Sequence, residues 1–447
     1  MADKNIPVGP VEPTPDDQQE FDEKIRDNYP KNRIIGIIHG IMHFTGLGFY
    51  WPNTVIPKFV FDITGSDFLV GLTTSMAFGM NQLAQLFGSA LVEHMAVKKR
   101  PLLYYGLLSR APWLLIALSV MFLSREYTFP VFLLLYIVAN ACMGLYLLVW
   151  TDLMSKIIPI EFRGSYFGVR NFLASSATAL AGIAAGRIIE AYLYPTGYAI
   201  SFFIAFLVMT ADLFVLSRTT EVPSLKVNPQ ISVGNKIKSI PTYFAKDRNF
   251  AMYCFIRSFS NISRAGFPFY ILAAASRLNL TPQESAATVG TFTFALLVVQ
   301  TIGNLVWGYF SQKRGWKAPL ELSCLLVGVI SFIVPSLNSM AGFITAVAVS
   351  GLSNSGFMLP SMNILMEFGK PESRPSYIGI ANGVSAIGAF ISPLLAGLIA
   401  ETYSYNELFY FIGAASILSY ILMRYYVIDP RFVKEEEMPD IEVNNNT

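Results

Sequence analysis

The chain has 447 residues, of which 53% are hydrophobic, 14% aromatic and only 14% charged, with a formal net charge of +2 and a mean hydropathy of +0.48. A soluble chain carries about 25% charged residues, so this one lacks the ionic surface to face water all round, and its solvent is lipid. Collagen-like, disordered and disulfide-framework classes are excluded, a soluble enzyme is disfavoured, and so mild a positive charge gives no footing for nucleic acid.

Residues 1–32 are polar, proline-containing and acidic (Asp16, Asp17, Glu20, Glu23) and hold no apolar stretch or small-residue cleavage site, which reads as a cytoplasmic tail and not a signal peptide. A membrane-crossing helix needs about 20 mostly apolar residues. Twelve stretches qualify, near 34–60, 68–93, 101–124, 130–157, 164–190, 197–217, 249–275, 284–310, 318–337, 341–367, 375–400 and 406–427. Helices are required because lipid offers no partner to backbone donors and acceptors, and the runs are too long for barrel strands. Between the sixth and seventh runs, the polar segment 218–248, with Pro223, Lys226, Pro229, Lys236 and Lys238, divides the chain into bundles 33–217 and 249–427, and 428–447 forms a second polar tail. Cys142, Cys254 and Cys324 are scattered through apolar stretches and read as small core residues, with no metal or disulfide spacing.

Basic residues gather in alternate loops: Lys98, Lys99 and Arg100, then Lys156 and Arg163, the central segment, Lys313, Arg314 and Lys317, and finally Lys370 and Arg374. The remaining loops hold little beyond Lys58, Arg125 and Arg277. By the positive-inside rule both termini are cytoplasmic and the protein sits in the cell membrane.

The two halves repeat each other. The segment from Thr151, TDLMSKIIPIEFRGSYFGVRN, aligns with NILMEFGKPESRPSYIGIAN from Asn363. Leu153, Met154 and Pro159 match Leu365, Met366 and Pro371. After a one-residue gap, Glu161, Arg163, Ser165, Tyr166, Gly168 and Asn171 match Glu372, Arg374, Ser376, Tyr377, Gly379 and Asn382. A weaker register pairs Thr73, Gln85 and Gly88 with Thr288, Gln300 and Gly303. Each half holds an even number of spans, so both enter the membrane in the same sense, related by an axis along its normal.

With this repeat the sequence resembles the major facilitator superfamily over nearly its whole length outside the tails. That family's signature between its second and third helices, repeated between the eighth and ninth, runs roughly G-x-L-a-D-R-x-G-R-[RK]. Gly308 to Lys317 (GYFSQKRGWK) keeps the glycines and bases with Gln312 in place of the acid. Gly88 to Arg100 keeps an acid, Glu93, one place late and lacks the second glycine. The fourth-helix arginine of many proton-driven members is missing from Val138 to Gly144, and the efflux motif G-P-x-x-G-G is only partly matched by Ala181 to Gly186 and Ser392 to Gly397. Small residues there also serve close helix packing. The resemblance implies an all-α fold of twelve membrane helices in two pseudo-symmetric six-helix bundles. It also implies alternating access around a central site, with no bound cofactor and an ion gradient as the default energy source, a uniporter being the plain alternative.

Charges inside a span are costly and face an interior partner, water or solute. Arg257, Asn261 and Arg264 lie at i, i+4 and i+7 of the seventh span and share one helix face, with Arg257 about 12 Å and Arg264 about 22 Å deep. A guanidinium fork suits carboxylate or phosphate oxygens. His39 and His43 share a face of the first span and could carry the coupling proton; with no third ligand placed by spacing, a metal is not expected. Asp212 in the sixth span is the third proton-coupling candidate, and His43, Arg110 and Asn140 join the substrate-binding set. Arg170, Asn171, Asn81, Gln82, Gln85, Asn354 and Asn363 either bind solute or stitch helices together.

In the inner layer Glu93, Lys98, Lys99, Arg100, Asp152, Glu161, Arg163, Gln312, Lys313, Arg314, Glu372 and Arg374 are expected to form a conformational latch. The family resemblance gives these loops the task of holding the inner ends together when the outside is open, and partly desolvated charge pairs are strong enough for it. The expected protein is a monomeric secondary transporter of a polar or anionic organic solute, proton-coupled, with the lipid bilayer, the solute and the coupling ion as partners. Export of amphipathic compounds is the alternative, and a non-transporting sensor or a membrane enzyme finds no supporting signalling segment or nucleophile cluster.

Overall fold

A computed structural model describes residues 15–92, 95–224, 233–369 and 374–432, and the regular secondary structure among these residues is all helix. The α-helices are α1 (Pro15–Phe49), α2 (Val55–Thr64), α3 (Asp67–Val92), α4 (Lys99–Phe122), α5 (Arg125–Ile157), α6 (Arg163–Tyr192), α7 (Thr196–Leu216), α8 (Val233–Lys246), α9 (Arg248–Phe259), α10 (Phe269–Arg277), α11 (Pro282–Arg314), α12 (Lys317–Ile333), α13 (Met340–Asn363), α14 (Arg374–Thr402) and α15 (Tyr405–Tyr426). Among the described residues, nine helices, α4 to α7 and α11 to α15, are long and apolar enough to cross a membrane by themselves. The three remaining expected crossings are α1 with α2, α3, and α9 with α10.

Two of these crossings are split where the sequence suggested continuous helices. The first stops at Phe49 and resumes at Val55, with Pro52 in the gap. The seventh stops at Phe259, tightens to a 3₁₀ turn over Ser260–Arg264 and resumes at Phe269, after Gly266 and Pro268. Proline removes a backbone donor and clashes with the preceding turn. Arg257, Asn261 and Arg264 are therefore not on one face of a continuous helix: Arg257 belongs to α9, and the other two to the turn beyond it.

Helix starts follow ordinary capping chemistry. The Thr281 hydroxyl accepts from the Glu284 amide at 3.3 Å while the Glu284 carboxylate accepts from the Thr281 amide at 2.8 Å, and Pro282 opens α11. Asp247 caps α9 by accepting from the Phe250 amide at 2.8 Å. Helix α1 begins at Pro15, inside the polar head, and the head is tied to the bundle where Asn32 both donates to and accepts from the Thr220 backbone at 2.9 Å.

Packing repeats between the halves. In the first, α1 packs on α6 and α7, α3 on α5, and α4 on α5 and α7; in the second, α9 packs on α14 and α15, α11 on α13, and α12 on α13 and α15. The most extensive contacts between the halves are α6 with α11 and α3 with α14, with smaller ones from α2 to α10 and α11. Their contacts lie on the side away from the termini. Gly186 meets Gly290 and Gly71 meets Gly397 backbone to backbone, so a β-carbon at any of these would collide. On the termini side, Gly164 and Gly168 of α6, Gly308 of α11, and Gly379 and Gly383 of α14 have open space where a side chain would begin.

The buried apolar clusters divide the same way. One large cluster unites both halves, with Phe59, Phe132 and Phe202 from the first and Phe269, Phe292 and Phe343 from the second. Towards the termini there are two separate clusters, one around Tyr146, Leu153 and Tyr166, the other around Phe250, Tyr253 and Tyr377. The molecule is sealed on the far side and parted on the side of its termini.

Candidate functional site

The helix breaks of the two halves face one another. Asn53 from the first break and Asn261, Arg264, Ala265 and Phe267 from the second line a small recess, completed by α3 (Thr74, Phe78, Gln82) and α14 (Ala389, Pro393). Its outer wall is the sealed interface, where the Thr54 and Thr293 hydroxyls lie 2.6 Å apart. Unwound backbone in a membrane is tolerated where it lines such a cavity.

Arg264 supplies the charge of this recess. Its Nε donates to the Asn354 side-chain oxygen at 3.1 Å, Asn354 donates to Gln300 at 2.9 Å, and the guanidinium sits 5.5 Å from the Phe357 ring centre. No carboxylate pairs with it among the described residues, and its two terminal nitrogens have no protein acceptor there. Asn261, the second predicted ligand, donates to backbone oxygens of Arg257, Ser258 and Ser385 and to the Ser385 hydroxyl. That leaves its side-chain oxygen as the acceptor. Arg257 is held apart from the recess lining: both terminal nitrogens donate to the Asn382 oxygen at 3.1 Å.

A second polar cluster is buried within the first half, where His43, Arg110 and Asp212 meet from α1, α4 and α7. One terminal nitrogen of Arg110 donates to Asp212 Oδ1 at 2.9 Å and Oδ2 at 3.1 Å, Nε donates to the Met209 oxygen at 2.6 Å, and the other terminal nitrogen donates to the Gly106 oxygen and the Ser109 hydroxyl. The arginine and the aspartate are both fully buried. Arg110, expected to bind solute, has its donors committed inside the protein, and it lies outside the recess lining. His43 Nδ1 lies 3.0 Å from Asp212 Oδ2 and 3.1 Å from Arg110. One ring nitrogen cannot donate to the carboxylate and accept from the guanidinium at once, so these two contacts alternate with the position of the imidazole proton. His39 Nε2 lies 2.8 Å from the Tyr146 hydroxyl, and the Arg110 guanidinium sits 4.6 Å from that ring's centre. His39, His43 and Asp212 also cluster closely enough to suggest a metal. The set does not fit one, because the Arg110 guanidinium already holds the cation's place on Asp212.

The Asn140 amide donates within its own helix to the Tyr136 backbone, and Asn81 stitches α3 to α5 by donating to the Asn140 backbone oxygen. Among the described residues, the basic residues on the termini side make their contacts within their own halves. Lys98 bridges to Asp152 at 2.8 Å, Glu161 to Arg26 at 2.9 Å, Lys99 donates to the Thr219 oxygen, and Arg163 donates to the Ser155 and Ile158 backbone. Arg100 is exposed. Lys313 and Arg314 lie over Tyr309 and Phe310, and the Gln312 backbone accepts from Arg431. Glu93 and Glu372 lie outside the described residues, as does the Arg374 side chain.

Sequence reading missed two acids. Glu221 accepts from the Lys98 and Lys99 amides at 2.7 Å and 2.8 Å and pairs with Lys156, and Asp429 accepts from the Lys317 amide at 3.0 Å. Each caps the helix that follows its half's first basic loop, and the only signal was an acid shortly after the sixth and twelfth spans.

Comparison with known proteins agrees with this architecture. Over 189 residues the chain is 26% identical to an uncharacterized MFS-type transporter of Methanocaldococcus jannaschii, covering 42% of this chain and 48% of that one. Over 150 residues it is 28% identical to the multidrug resistance protein MdtG of Serratia proteamaculans, covering 33% of each. The chain thus spans a third to a half of the length of these relatives. In fold it is similar to a D-xylose-proton symporter, with a TM-score of 0.71 at 12% identity covering 90% of this chain and 99% of that one. It is similar also to the nucleoside transporter NupG, with a TM-score of 0.70 at 12% identity covering 88% and 98%. The sequence profile of the Major Facilitator Superfamily matches residues 38–299 and 253–442, and the chain belongs to that superfamily of membrane transporters.

Proposed function

We propose that this transporter carries a small organic solute bearing a carboxylate or similar anionic group across the cell membrane, as a monomer with cytoplasmic termini, and couples its movement to protons. One observation carries the reading: Arg264 stands in the recess between the halves and, among the described residues, its terminal nitrogens have no acceptor and no acid pairs with it. A half-buried guanidinium without a counter-ion is only partly solvated, a cost that an anionic solute would offset on binding. Gln82, Asn53, Thr74 and Asn261 supply further polar contacts, and Phe78 and Phe267 cover an apolar body.

Proton coupling is assigned to the His43–Asp212–Arg110 cluster, with His39 beside it. A proton taken by His43 gives Nδ1–H to Asp212 and turns the Arg110 N–H away from the ring towards the carboxylate alone. Because α1 carries both His43 and, beyond its break, the recess residue Asn53, a shift in this contact can bias the halves between their two arrangements. The latch residues act in the opposite state, when the parted inner ends meet.

The apolar lining, Phe78, Ala265, Phe267, Ala389 and Pro393, together with the similarity to MdtG, favours export of an amphipathic compound as a second reading. Thermal unfolding of the purified protein against a panel of matched acids, amides and amphiphiles discriminates the two. Anionic cargo predicts stabilisation by the acids alone, lost in Arg264→Gln. Equal stabilisation by neutral amphiphiles, retained in that variant, supports the second reading.

A further inference from the structure

Asn171 and Asn382 occupy equivalent places in the repeated segment, and each receives a buried arginine through its side-chain oxygen. Arg170 donates to Asn171 from one terminal nitrogen at 3.2 Å, and Arg257 donates to Asn382 from both at 3.1 Å. Arg170 is 4% exposed and Arg257 8% exposed. Neither has a carboxylate partner among the described residues, and the buried Nε of each lacks any acceptor. Arg170 rests 4.5 Å from the Trp150 ring centre and 5.7 Å from that of Phe44, which offsets part of its desolvation without supplying an anion.

A guanidinium only donates, so each amide must turn its oxygen to the arginine and its NH₂ away. Both asparagines are exposed, and one turn earlier Gly168 and Gly379 face open space. Two NH₂ groups, each backed by a guanidinium with no carboxylate partner among the described residues, thus lie at exposed positions on the termini side. Along the seventh crossing Arg257, in α9, comes before Arg264, which lies in the turn beyond it.

We propose that Arg170–Asn171 and Arg257–Asn382 are matched oxyanion stations, one in each half, that take a carboxylate or phosphate group in the vestibule before it reaches Arg264. This rests on the anionic cargo proposed above. The arginine in each station supplies field and orientation, and the amide makes the contact.

The test uses the full chain with Cys142, Cys254 and Cys324 replaced by alanine and carrying Gly168→Cys or Gly379→Cys. Reaction rates are measured with an anionic sulfonatoethyl and a cationic trimethylammonioethyl methanethiosulfonate, and the ratio is divided by that for free cysteine. The stations predict a normalised preference for the anion of about tenfold or more at both positions, reduced by inorganic phosphate. Arg170→Gln collapses the preference at position 168 only and Arg257→Gln at 379 only. Asn171→Leu and Asn382→Leu, which keep the arginines, lower it in their own halves. A normalised ratio near one, or one unmoved by the local arginine and asparagine variants, overturns the proposal. Arg264→Gln leaves both ratios intact, so ratios that survive alongside solute binding indifferent to Arg264 reject the cargo reading and not the stations.

Discussion

Arg110 and Asp212 form a pair from which no water is reached, and breaking such a pair from one side costs about 3–5 kcal/mol because the survivor stays buried and charged. Asp212→Asn is therefore expected to lower stability by about that amount, while Arg110→Met combined with Asp212→Leu loses much less; denaturant unfolding in detergent checks both, and equal losses would contradict the pairing. Outside the membrane, burial raises the Asp247 pKa against the opposing hydrogen bonds from Phe250, Tyr377 and Asn249. A raised carboxyl pKa means the folded state holds its proton longer than the unfolded state. Asp247 thus contributes a stability that is fully present below its unfolded pKa and falls as pH rises through the folded one. Asp247→Asn, which still caps α9, is expected to flatten that acid-side slope, and an unchanged slope in a pH series of melting temperatures would refute the assignment. His43, Arg110 and Asp212 were each readable as costly intramembrane groups. Their meeting was not, because they come from three different spans and no spacing in the sequence joins them.

At the level of elements, the far ends of the halves are tied by polar contacts as well as glycines. Tyr405 of α15 donates to Asp67 at 2.8 Å, and Glu401 of α14 accepts from the Phe68 amide and the Ser66 hydroxyl at 3.0 Å, so an acid of one half caps the first turn of α3 in the other. Loss of a cap costs about 1 kcal/mol, which is about fivefold in a two-state equilibrium. Glu401→Ala is expected to raise the population open on the face opposite the termini by that factor, read as faster labelling of Asn53→Cys by an impermeant reagent from that face. Unaltered labelling would show that the cap does not hold the seal. Among the described residues, nine of the twelve expected crossings are single helices long and apolar enough to span a membrane, and these were legible from length and apolarity alone. The two breaks were not, because proline inside a long apolar run is compatible with a kink as well as a stop, and only the apposed partner half shows why the chain opens at Pro52 and Pro268.

The whole molecule has one shared apolar core on the far side and two separate cores near its termini, the arrangement of a clamp pivoted at α6–α11 and α3–α14. Rocking about those pairs is expected to shorten a spin-label distance between Ser165→Cys and Gln312→Cys whenever that between Arg187→Cys and Gln283→Cys lengthens; changes of the same sign would contradict rigid-body exchange. The repeat made the pairing of halves readable in advance, whereas the direction in which they part depends on contacts no sequence pattern displays. The most direct test of the transport account is uptake by proteoliposomes under an imposed pH gradient, comparing small carboxylic acids with their own amides for wild type and Arg264→Gln. The account predicts gradient-driven uptake of an acid and not its amide, falling by about tenfold or more when the guanidinium's charged hydrogen bonds are removed. Equal carriage of acid and amide, or full uptake by Arg264→Gln, would contradict it.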